Sequence, residues 1–215
     1  MIIDLDRKFL FIANLRTGST SLQKALSADA DIVIAKTRYG KHLGVAAIEE
    51  RFRWIFQYRK AGEMFVFGVM RDPLDYLTSL YRFHKADAFR DQRHSTANIN
   101  FDEFLETWVP TSWQTRPQIQ RFLAPESAFE TVTVWNFRNI ERNFVLFRDR
   151  LGIDGALPHV NRSRASRAPI ALSERRRAEI AEAYAADAAL TRPEVLYSVI
   201  DPRSGAIREQ TRIDA

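Results

Sequence analysis

The sequence predicts an α/β fold, a three-layer sandwich around a central, mainly parallel sheet of about four or five strands. Two observations carry this expectation. Short, β-rich apolar runs at 9–13, 32–35, 64–69 and 131–135 are each separated by a stretch long enough for a helix. Strands that alternate with helices in this way assemble into parallel sheets. A length of 215 residues, 46% of them hydrophobic, suits one such domain with a sizeable core, so 1–215 reads as a single unit.

The first strand, Phe9 to Ala13, runs into a short polar loop that opens a helix bearing Leu22, Ala25 and Leu26. Between the second and third strands, Val45, Ile48, Phe52, Ile55 and Phe56 recur at helical spacing, which predicts a helix over 45–59. Arg71-Asp-Pro73 then ends the third strand and starts a helix. Asp72 is a good N-cap, Pro73 is pre-set for the first turn, and Leu74, Leu77, Leu80 and Tyr81 form the inward stripe. Residues 86–98 lack an apolar period and read as a surface loop, a candidate lid. Helices are expected at 101–109, at 116–123, and from Asn139 to Leu151, where Gly152 stops the last of them. His159 to Pro169 is a basic, polar loop, and Ser173 caps a long helix reaching about Leu190. From Pro202 no period is evident, so this tail is expected to be loosely held.

No apolar run reaches the roughly eighteen residues a membrane span needs, and the first residues lack a charged-then-apolar leader. The expectation is a cytoplasmic protein. Absence of cysteine excludes disulfides, thiolate metal sites and a cysteine nucleophile. The net charge of +5 suits an anionic ligand. Its basic residues are spread in mixed-sign runs without a nucleic-acid-binding module, which argues against nucleic acid as the partner.

The loop Arg16-Thr-Gly-Ser-Thr-Ser21 offers successive backbone N–H groups and hydroxyls at the positive end of the helix it opens, where phosphate or sulfate binds most readily. Against the Walker pattern G-x-x-x-x-G-K-[ST], it has Ala13 for the first glycine and Ser19 for the lysine, followed by Thr20. A nucleoside triphosphate needs that lysine on its outer phosphates. The loop therefore suits a different, metal-free anionic donor, with Arg16 as the replacement cation. Arg71, at the carboxyl end of the third strand, lies where open α/β sheets bind ligands, and Ser79 follows on the next helix. The two sites together imply a donor with an anion at each end. Taken singly, Arg71 also fits an ion pair with Asp72 or Asp75, and Ser79 fits an idle surface position.

The segment Leu15-Arg-Thr-Gly-Ser-Thr-Ser-Leu22 resembles the 5′-phosphosulfate loop of sulfotransferases that use 3′-phosphoadenosine 5′-phosphosulfate, and Val69 to Arg82 resembles their 3′-phosphate segment. The resemblance implies a fold like that of P-loop nucleotide kinases and closest to the glycan-type members. It implies donor binding by Arg16, Thr17, Gly18, Ser19, Thr20, Ser21, Arg71 and Ser79. Asn161-Arg-Ser163 and the helix with Tyr184 and Asp187 are similar to the tails of glycan-type members. The C-terminal R-K-G-x-x-G-x-W-K loop of phenol- and steroid-type relatives is absent, leaving Arg162 and Arg164 as candidate substitutes.

The implied reaction moves a sulfuryl group to a hydroxyl of a saccharide, lipid-linked sugar or small metabolite. Positioning and stabilisation of the leaving phosphate would supply most of the rate, without magnesium. A hydroxyl still needs a base. His42, in the segment after the second strand where the family often places its histidine, has an imidazole whose ordinary pKa suits that role. Lys41 beside it would neutralise the transferring group. Trp108 and Trp113 flank a segment suited to choosing the acceptor, either as sugar platforms or as core. Two other readings remain open, a P-loop small-molecule kinase and a non-catalytic nucleotide-binding module.

Overall fold

A computed structural model describes residues 1–35, 40–58, 60–86, 89, 90, 92, 94–158 and 170–213. They build an α/β structure around one mixed sheet. Its strands are β1 (Ile2–Asp4), β2 (Phe9–Ile12), β3 (Ile32–Val33), β4 (Phe65–Met70), β5 (Val132–Asn136), β6 (Val195–Ile200) and β7 (Ile207–Arg212). The spatial order is β3-β1-β2-β4-β5-β6-β7.

The expected four or five mainly parallel strands are therefore corrected to seven, mostly antiparallel. Only β2–β4 and β4–β5 pair parallel. The other pairings are antiparallel, because β1 forms a hairpin with β2 and carries β3, while β6 and β7 return as a hairpin beside β5. The tail expected to be loose supplies β7, which is registered against β6 from Val195↔Arg212 to Ile200↔Ile207.

The centre of the sheet follows directly from its residues. β2, β4 and β5 are buried along their whole length, and successive side chains point to opposite faces. Leu10, Ile12, Val66, Met70, Val132 and Val134 pack on one side with Val45, Ile48, Ile55 and Phe122. Phe9, Phe11, Phe67, Val69 and Trp135 pack on the other with Leu22, Leu26 and Phe144. Gly68 leaves room in β4 for a close neighbour: a Cβ there would stand 2.4 Å from the Phe122 ring.

Eight α-helices occur among the described residues: α1 (Ser19–Leu26), α2 (Val45–Arg51), α3 (Ile55–Tyr58), α4 (Pro73–His84), α5 (Phe101–Trp108), α6 (Ile140–Phe147), α7 (Glu174–Ala183) and α8 (Ala185–Leu190). Three expected helices differ. The 45–59 helix breaks into α2 and α3. The 116–123 segment after Pro117 is a 3₁₀ turn, Gln118–Phe122. The helix after Ser173 divides at Tyr184, whose ψ of 28° leaves the helical range. α4 starts as expected, with the Asp72 carboxylate accepting the Asp75 N–H at 3.0 Å. Tyr76, Leu80, Tyr81, Phe104, Ile180 and Tyr184 join α4, α5 and α7 in a third apolar cluster. No helix among the described residues is long and apolar enough to cross a membrane.

Candidate anion-binding site

Because β2, β4 and β5 are mutually parallel, with Ile12 opposite Gly68 and Met70 opposite Asn136, their carboxyl ends form one edge. The loops 13–18, 71–72 and 136–139 meet there. In the first loop, Arg16 at φ 56° and Gly18 at φ 72° are both left-handed, which turns the chain sharply into α1. The Gly18 carbonyl accepts from Ser21 and Leu22. The N–H groups of Ser19 and Thr20 are left without an intrahelical acceptor, as at any helix start. Gly18 also sits tightly on the third loop, since a Cβ would lie 2.9 Å from Ile140 Cδ1 and 3.2 Å from the Phe137 ring.

Several residues singled out from the sequence converge at this edge. Arg16 Nε donates to Ser79 Oγ at 3.2 Å, and its guanidinium lies 4.5 Å over the Phe83 ring. Arg16 thus turns toward α4 and joins the segment expected to hold the second anion. Burial, then the charge of Arg71, lowers the proton affinity of Arg16. Arg71 stacks 4.9 Å over Phe137, and its Nε is buried with no hydrogen-bond partner. Burial is the largest influence on Arg71 too, lowering its proton affinity, with Asp75 and Asp72 opposing. Lys41 Nζ reaches Thr20 Oγ1 at 3.4 Å, which brings the segment after β3 to the start of α1.

Other expected residues have different roles. The Thr17 hydroxyl donates to the Asn14 carbonyl at 3.2 Å and so braces the loop. Ser19 and Ser21 are buried. Arg162, with Arg164 and the Asn161-to-Ser163 segment, lies outside the described residues. So does part of the proposed 86–98 lid.

His42 lies beside the loop, where its Nδ1–H donates to the Ala13 carbonyl at 2.7 Å. That bond leaves Nε2 with a lone pair in the neutral ring. The ordinary pKa expected from sequence is not kept. Burial, assisted by the charges of Lys41 and Arg121, lowers it to about 4 against the pull of the Ala13 bond, so the imidazole is neutral at neutral pH.

The residue that joins the two anion segments carried no sequence motif. Gln118 Oε1 accepts from Arg71 N–H at 3.1 Å and Asn14 Nδ2 at 3.3 Å, while its Nε2 donates to the Arg71 carbonyl at 2.7 Å. Gln118 is in turn held by Asp187, which accepts its backbone N–H at 2.6 Å and that of Ile119 at 3.0 Å. Asp187 is fully buried, and desolvation raises its pKa to about 6 despite these bonds. The sequence signals for this network were a polar Asn14 directly after the apolar run Phe9 to Ala13 and Asp187 in the segment similar to glycan-type tails.

No group of three or more His, Asp or Glu among the described residues is placed to hold a metal ion. A groove of about 590 Å³ between α6 and β6–β7, lined by Val145, Leu146, Leu196 and Ile213, shares no residue with the site. Its arginines, Arg142 and Arg212, are exposed, whereas Arg16 and Arg71 are partly buried. Comparison with family models, with curated proteins and with solved structures finds no match.

Proposed function

We propose that the chain is a sulfotransferase that moves a sulfuryl group from 3′-phosphoadenosine 5′-phosphosulfate to an acceptor hydroxyl on a saccharide, lipid-linked sugar or small metabolite. One observation carries this reading: Arg71 keeps a buried, unpartnered Nε beside Arg16 and Ser79, at the edge where a left-handed loop opens a helix. A buried donor without a partner costs about 1–3 kcal/mol. An oxyanion supplied by a ligand would remove that cost. What supports a P-loop-like reading is this β2–α1 turn and the parallel β2–β4–β5 centre, within a sheet whose other pairings are antiparallel.

In the proposed reaction the acceptor oxygen attacks sulfur, the S–O bond to the phosphate breaks, and the acceptor proton passes to His42 Nε2. The loop N–H groups and the Arg16 guanidinium stabilise the departing phosphate, while Arg71 and Ser79 hold the 3′-phosphate at the other end of the donor. No metal is required of these residues, since the charge to be stabilised is that of one departing phosphate.

Calorimetric titration with adenosine 3′,5′-bisphosphate tests the donor site. Binding is expected, and ATP with magnesium should bind more weakly. Arg71→Ala should weaken the bisphosphate by about 2 kcal/mol, the loss typical of a charge-assisted contact. Equal affinity of the variant and the parent would reject Arg71 as a ligand, and tighter binding of ATP with magnesium would favour a kinase.

A further inference from the structure

Arg121 lies on the 3₁₀ turn Gln118–Phe122, three residues beyond Gln118. Its Nη1 donates to the His42 carbonyl at 2.6 Å, and its guanidinium lies 4.9 Å from the centroid of the Trp113 ring. Trp113 is 51% exposed, so part of its indole is open to a ligand beside Arg121. Arg7, Arg176 and Arg208 each pair with a carboxylate. Among the described residues no carboxylate pairs with Arg121, although it is more sheltered from water than Arg208. Holding the His42 carbonyl needs only an N–H donor, which a neutral amide would provide. The positive charge therefore has no counterpart within the described chain, and its field acts on His42 itself.

We propose that Trp113 and Arg121 form the acceptor subsite, in which the indole stacks on a sugar ring and the guanidinium binds an anionic substituent, a carboxylate or sulfate, on that ring. This inference rests on the sulfotransferase reading and narrows its acceptor to an acidic saccharide. Arg121 is a specificity residue, and His42 lies next to it to take the proton of a neighbouring hydroxyl. An anion on Arg121 also offsets one of the lesser influences that lower His42, after burial and Lys41, and so shifts the base toward greater strength.

Titration of the full chain with methyl β-D-glucuronide and with neutral methyl β-D-glucoside, followed by tryptophan fluorescence, tests the subsite. The glucuronide should bind about tenfold or more tightly than the glucoside, as expected for one charge-assisted contact. R121Q, which can still donate to the His42 carbonyl, should lose that preference, and R121K should retain part of it. W113A should weaken both sugars. In the parent, the His42 ring resonances should titrate at higher pH with glucuronide bound, and this shift should be absent in R121Q. Equal binding of the two sugars, no binding of either, or a preference that survives in R121Q overturns the inference. If R121Q does not fold, salt replaces it as the probe: added salt should abolish the preference and leave glucoside binding unchanged, and a salt-independent preference counts against Arg121. Adenosine 3′,5′-bisphosphate titrated in the same samples separates the two levels. If the nucleotide binds but the sugars are not distinguished, only the subsite fails; if the nucleotide does not bind, the sulfotransferase reading fails.

Discussion

Gln118 shows how much of a site can depend on a side chain with no chemistry of its own. One buried amide spans Asn14 and Arg71 and so sets the two strand-end loops relative to each other. His42 has a different kind of constraint, because its bond to Ala13 fixes the tautomer. His42→Asn keeps an N–H where Nδ1 stands but removes the base. Sulfuryl transfer should fall by about 10²–10⁴, while the affinity for adenosine 3′,5′-bisphosphate stays the same. Unaltered turnover in a transfer assay rejects His42. Arg16, Gly18, Arg71 and Ser79 were legible in the sequence because glycine at a strand-to-helix turn and an arginine at a strand end each have a short-range reason. Gln118 and Arg121 were not, since their partners lie 47 residues away at Arg71 and 79 residues away at His42.

The elements divide along the same line. The fully buried strands β2, β4 and β5 stand out as continuous apolar runs, and α4 declares its start through Asp72 and Pro73. β1 has only three residues, and β7, Ile-Arg-Glu-Gln-Thr-Arg, is largely exposed and polar; no local period marks either. Both exist because a neighbour supplies the hydrogen-bond ladder, β2 for the one and β6 for the other. The turn from β2 into α1 carries a prediction of its own. Gly18→Ala would place a methyl group in a left-handed conformation against Ile140 and Phe137. Thermal or denaturant unfolding should show a loss of about 2–5 kcal/mol, the sum of the left-handed penalty and overpacking. Adding Ile140→Val should restore only the packing part. A Gly18→Ala chain as stable as its parent would show that α6 does not press on the loop.

At the scale of the whole molecule, two buried ionisable groups oppose each other. His42 has its pKa lowered from 6.5 to about 4, so the unfolded chain takes up that proton first as pH falls, and stability is lost between roughly 6.5 and 4. Asp187 has its pKa raised from 3.8 to about 6, so the unfolded chain releases that proton first as pH rises, and stability is lost from roughly 3.8 up to 6. Each effect amounts to at most about 3 kcal/mol, at 1.36 kcal/mol per pH unit. Between pH 4 and 6 these two act in opposite senses, while the amino terminus, lowered by burial to about 5, adds a loss of stability as pH falls from about 8 to 5. Relative to the parent, urea midpoints of His42→Asn should therefore fall as pH rises from 4 to 6, and those of Asp187→Asn should climb. Parallel curves for all three proteins would disprove the balance. Asp187 also has a bearing on biosynthesis. A ribosome delivers the loop, Arg71 and Gln118 well before it delivers residue 187. The nascent chain can lay down its central strands early, but the clamp across the cation pair is completed only after α8 has emerged, so the candidate anion site should be assembled late in translation.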